Sequence, residues 1–176
     1  MAKKINLTKK NILVSIHVIA ICAWFGGTLS LLLLGFYLKN AHNGDQLIYT
    51  LSSMHVIDEN LLKYPALATL ITGILLSIWT QWGLVKYYWV VIKLVLTILI
   101  ILLGIFFIND WFLFLVETAH NLGIKALDNQ QFNTKWLSII ITGLFNLVCM
   151  CFMTVITYFK PFGKIKKKKA TNPNGY

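Results

Sequence analysis

Charge is what this sequence has least of. Acidic and basic residues make up 12% of its 176 residues, against 57% hydrophobic, and mean hydropathy is +0.70. A soluble domain of this size has too little interior to hide that much apolar surface, so the composition calls for a bilayer. Arginine is absent, and all sixteen basic residues are lysine. Cysteine is scarce: Cys22, Cys149 and Cys151 are odd in number and lie in apolar runs. That argues against a disulfide framework and leaves the redox compartment open. Several enzyme signatures are missing as well. There is no phosphate-cradling glycine loop, no zinc-protease motif on a helix and no serine nucleophile elbow. Nor is there a chain of intramembrane acids of the kind proton pumps use. A cleavable signal peptide is not expected, since the first apolar run is too long for one.

The formal net charge is +10, which by itself suits a polyanionic partner. The placement of the lysines argues against nucleic acid. Lys3, Lys4, Lys9 and Lys10 precede the first apolar run, and Lys160, Lys164 and Lys166 to Lys169 follow the last, so ten of sixteen sit in the tails. No aromatic-interleaved basic surface accompanies them. Lysine beside membrane spans is the mark of cytoplasmic flanks.

Four apolar runs are long enough to cross a bilayer, which takes about 20 residues. They cover about residues 12–38, 61–82, 88–108 and 136–159. The expected fold is therefore all-α: one integral membrane four-helix bundle spanning residues 1–176, with basic tails 1–11 and 160–176. Pro65 opens the second run, where a missing N–H costs least. The stretch from Leu47 before it reads as helical but too polar for lipid. The third pattern can continue past Asn109 and Asp110. Trp79, Trp82, Tyr87, Tyr88 and Trp89 cluster around the 2–3 turn, as aromatics do at an interface. An even number of spans puts both termini on one side, and the lysine tails make that side the cytoplasm. The outer loops then hold all six acids, Asp45, Asp58, Glu59, Asp110, Glu117 and Asp128. The expected location is a bacterial cytoplasmic membrane.

Ionisable groups in hydrocarbon are costly and point to function. His17 lies in the first run, with Trp24 and Thr28 on its helical face. Gly26 and Gly27 offer close approach to a neighbouring helix or a flat ligand. Lys93 lies in the third run. Both His17 and Lys93 are about five residues from the start of their spans, roughly 8 Å deep, so they can meet. The imidazole suits a metal and the ammonium an anion such as a propionate. The bland readings are a histidine bonded between helices and a lysine snorkelling to the interface. A second constellation lies outside: an antiparallel hairpin of spans two and three puts Glu59 opposite Trp111 and His55 opposite Leu115. His55, Asp58, Glu59, Asp110, Glu117 and His120 can then cluster and offer imidazole and carboxylate to a metal, or form a solvated rim. His42 reads as surface. Cys149, Met150, Cys151 and Met153 are soft groups suited to Cu(I), or apolar filler. Asn146 reads as a hydrogen bond between helices.

Three stretches carry a resemblance: "HVIAICAWFGG" from His17, "YPALATLITGILL" from Tyr64, and "YYWVVIKLVLTI" from Tyr87. Their order and spacing resemble small haem-associated membrane proteins, the family of the HemJ-type protoporphyrinogen oxidase and the membrane part of copper-resistance protein D. The shared positions are His17, Trp24, Pro65, Thr72, Gly73, Trp89 and Lys93, within spans one to three, about half of the chain. The family's Pro-Arg stretch after span one is replaced here by "LLLLGFYLKN". The resemblance implies a haem ligand at His17 and a functional role for Lys93.

The sequence thus leads to a bundle that binds haem b or a related porphyrin, with His17, Lys93 and Trp24 at the cofactor. His55 or His120 is then a second ligand or part of a separate metal site with Glu59. The associated chemistry is porphyrinogen oxidation or electron transfer. Two alternatives stay open. One is copper handling or resistance; the other is a non-catalytic membrane partner subunit. The bilayer is the expected partner, and a bundle this small can form a homodimer.

Overall fold

The computed structural model describes residues 5–80, 82–161 and 163–165. Four long helices account for nearly all of them, each long and apolar enough to cross a membrane: α1 Leu7–Asn40, α2 Gly44–Trp79, α3 Tyr88–Asp128 and α4 Gln130–Phe159. The fold is an all-α bundle of a multi-pass membrane protein. No strand forms among the described residues; a lone β-bridge joins Tyr87 to Lys164.

The helices outrun the apolar segments. The expected span 61–82 is the second half of a 36-residue helix, about 54 Å long at ~1.5 Å per residue, against a hydrocarbon thickness of about 30 Å. The expected span 88–108 likewise runs on without a loop to Asp128. At the other margins, α1 and α4 begin about five residues earlier than expected, and α2 stops at Trp79, leaving Trp82 in the turn.

Pro65 therefore lies inside a helix rather than at its start. It lacks the N–H that would bond the Leu61 carbonyl, and its ring crowds that oxygen. The chain accommodates this with a π-helical turn at Asp58–Lys63, which widens the helix immediately before the proline. A second π-helical turn, Gly104–Ile108, lies within α3.

Beyond these two turns the polar halves of α2 and α3 pack together and complete a dense core. Leu47, Leu51 and Met54 of α2 recur at offsets of four and three. Phe112, Leu115 and Ala119 of α3 recur at three and four. All six are fully buried, against Leu31 and Leu38 of α1 and Phe132 and Ile139 of α4. Asn129 and Asn43 cap α4 and α2 by accepting from Phe132 N (3.0 Å) and Gln46 N (2.8 Å). Nearer the termini a second cluster, Trp24, Ala66, Ile100, Cys149, Met150 and Met153, closes mid-bundle. Asn146 ties α4 to α1 there, donating to Thr28 Oγ1 at 3.0 Å.

Candidate functional site

Below the Trp24 cluster a cavity of about 560 Å³ lies between all four helices. That is within the range of small-molecule sites, ~300–1,000 Å³. It reaches from Trp24 to Lys10, Trp82 and Tyr158 at the end of the bundle that carries the termini. Beside that end the chain after α4 turns back through Lys160, at φ 45°, and pairs with the α2–α3 turn, Ile165 N donating to Lys86 O at 3.0 Å. The Lys160 ammonium lies 4.7 Å from the Trp82 ring centroid.

His17, Lys93 and Trp24 all line this cavity. His17 is half-buried, with Nδ1 2.7 Å from Thr72 Oγ1 of α2. A Cβ on Gly73 would lie 3.3 Å from His17 Cε1, so glycine makes room for the imidazole against α2. Trp24, only 2% exposed, closes the inner end. Gly27 serves helix packing rather than a ligand: its α-carbon lies under Leu61, while Gly26 has no such neighbour.

Lys93 donates to Thr157 Oγ1 at 3.0 Å, and Thr157 Oγ1 in turn donates to Met153 O at 2.7 Å. Among the described residues no carboxylate pairs with Lys93, and the single salt bridge is Lys63 to Glu59, 2.9 Å, on the half of α2 away from the cavity. Two more wall groups are buried without a hydrogen-bond partner, Trp89 Nε1 and Thr69 Oγ1. Buried polar groups are rarely left unpaired. An ammonium, an indole N–H and a hydroxyl together favour a ligand that brings acceptors and negative charge. The walls around them are apolar, with Val14, Ile21 and Leu94 among them. Thr69, Thr157 and the unpaired Trp89 N–H add to the residues singled out by sequence.

The outer constellation does not assemble. Among the described residues no three of His, Cys, Asp or Glu come together to hold a metal. His55 packs its ring on Phe112, centroids 5.8 Å apart. Glu59 turns along its own helix to Lys63, and Glu117 and His120 are exposed. The sulfur groups divide as well: Cys149 is buried and Cys151 exposed. Met150 and Met153, however, stand in the wall of the His17 cavity. Comparison of the chain with family models, with curated proteins and with solved structures finds no match.

Proposed function

We propose that this protein binds haem b or a related porphyrin in the four-helix cavity, with His17 as axial ligand. One observation carries the reading: a histidine and a lysine without a carboxylate partner share an apolar cavity between four span-length helices. Such a cavity suits a flat, largely apolar molecule that ends in carboxylates. Thr72 engages Nδ1 of His17, so Nε2 is the nitrogen left for a ligand. Lys93 would take a propionate through its remaining N–H groups, and Trp89 Nε1 offers a further donor. Trp24 would close the inner edge, and the aliphatic walls would keep water from the ligand. Haem, when bound, supplies one-electron redox chemistry, and the protein supplies orientation and potential. This fits porphyrinogen oxidation or electron transfer.

Copper handling is the rival reading, favoured by Met150 and Met153 in the same wall. An absorption spectrum of the detergent-purified protein, oxidised and then dithionite-reduced, decides between them. A Soret band with sharp reduced α and β bands, near one haem per chain, supports the porphyrin. A protein that stays colourless after haem is added sinks it.

We place the protein in a bacterial cytoplasmic membrane with both termini in the cytoplasm. The lysine tails and the short α2–α3 turn with Lys86 would lie inside, and the packed outer core on the other side. The expected result of reporter fusions is a cytoplasmic signal at residue 1, at the α2–α3 turn and at residue 176, and an external one near Asn129. An external C-terminus would overturn the arrangement.

A further inference from the structure

The hydrogen bond between His17 and Thr72 has a definite direction. Thr72 Oγ1 lies 2.6 Å from the carbonyl oxygen of Ala68, one turn back in α2, and 3.2 Å from that of Thr69. Two oxygens at 2.6 Å repel unless a proton lies between them, and a carbonyl has none to give. The single hydroxyl proton of Thr72 is therefore committed to its own helix. Towards His17, 2.7 Å away, Thr72 can only accept. A neutral imidazole carries one N–H, so that proton must sit on Nδ1. Nε2 is left with a bare lone pair.

We propose that Thr72 is a positioning residue. It holds His17 as the Nδ1–H tautomer and orients the ring so that Nε2 faces the cavity as an electron-pair donor. The group does not touch the ligand; it acts through the imidazole. Gly73, next in sequence, makes the arrangement possible by leaving the ring its place against α2. A threonine at this position thus has two tasks in one hydroxyl: it satisfies α2 with its proton and the imidazole with its oxygen. Where a metal is bound, a partner on the far nitrogen fixes the ring and raises its basicity, and losing such a partner typically lowers metal affinity 10- to 100-fold. The tautomer stands by itself, whereas the consequence for haem rests on the porphyrin reading.

The test separates the two. The full chain, in detergent and free of haem, is labelled with ¹⁵N in its histidine rings. It holds four histidines, and His17 is assigned as the signal missing from His17→Gln. At a pH where His17 is neutral, the expected spectrum of the wild type has a protonated Nδ1 and an unprotonated Nε2. In Thr72→Val, which keeps the shape and removes the hydroxyl, the Nε2–H form should rise; in Thr72→Ser the wild-type pattern should return. A wild type carrying its proton on Nε2 overturns the proposal whether or not any variant folds. An unchanged Nδ1–H signal in Thr72→Val also overturns it. With haem added, Thr72→Val should bind about 10-fold more weakly, with a raised midpoint potential, because a less basic imidazole stabilises ferric iron less. Wild-type affinity and potential in Thr72→Val would remove Thr72 from the site. Failure of the wild type to bind haem at all would overturn the porphyrin reading and leave the tautomer measurement standing.

Discussion

His17→Ala is expected to insert into the membrane, keep its fold and lose its Soret absorbance entirely. The fold should survive because His17 is a cavity wall, not a core residue: its ring is half-buried and its one side-chain hydrogen bond is to Thr72. Removing it enlarges an existing space and leaves Thr72 Oγ1 still bonded to Ala68 O, so no buried donor is orphaned. Helical circular dichroism and the unfolding midpoint should therefore stay near wild type. Haem binding should not. No other histidine lines the cavity, and His55, the next in the bundle, packs on Phe112 in the other half. Lys93→Met is the graded comparison. It keeps the apolar stem and removes one charge-assisted contact, worth ~1.5–3 kcal/mol, so affinity should fall about 10- to 100-fold with the Soret band retained. Full haem in purified His17→Ala would take His17 out of the site. Wild-type affinity in Lys93→Met would make that lysine an interface anchor.

The contrast between these two residues and the rest of the site marks what a sequence can show. A histidine and a lysine within apolar runs stand out by cost alone, and counting residues from the span starts puts them at one depth. The threonines do not stand out by cost, and the resemblance that marks Thr72 gives it no task. A threonine in a helix ordinarily bonds its own backbone, as Thr50, Thr118 and Thr154 do here. Thr72 does that too, and only the register of α1 against α2 shows that its oxygen also meets an imidazole. Thr157 is the same case on α4; Thr69 becomes notable only once burial shows its hydroxyl unpaired, and burial adds to Trp89, already marked by the resemblance, that its indole N–H has no partner. The outer cluster misleads for a related reason. His55 and Glu59 share a helical face, but Glu59 finds Lys63 within α2, which competes with any partner across the hairpin.

The same distinction applies to the fold. Four apolar runs and their closed, even topology are plain in composition, because the bilayer imposes a length. The continuation of α2 and α3 is less plain. Leu47, Leu51 and Met54 have helical spacing, but the polar residues between them read as the end of a span and Pro65 as the start of another. A proline in a helix is a boundary only when nothing absorbs it. Here the π-helical turn does, at a level where the neighbouring helix is thin.

That thin neighbour is Gly27, and its replacement should give the largest loss of stability of any single methyl added to the bundle. A Cβ at Gly27 would sit 2.7 Å from Leu61 Cβ and 2.9 Å from Leu61 O. These are atoms on or next to the backbone, which cannot swing aside as the tip of a side chain can. The crowded carbonyl is also the one that Pro65 deprives of its usual donor, so α1 and α2 meet where α2 is already widened. Gly27→Ala must push the helices apart or distort the π turn, at a cost of about 3 kcal/mol. Gly26→Ala provides the control within the same turn of α1. Nothing lies within 4 Å of its added Cβ, and alanine is the better helix former by roughly 0.5–1 kcal/mol, so stability should hold or rise. Unfolding midpoints of the two variants in one detergent should therefore move in opposite directions. Equal midpoints would mean that α1 and α2 do not depend on the Leu61 contact. A fall in both would point to a second helix or a second copy of the chain against Gly26. If the fall is confined to Gly27→Ala, haem affinity should weaken with it, since the α1–α2 pair that closes over Leu61 is the pair that holds His17 to Thr72.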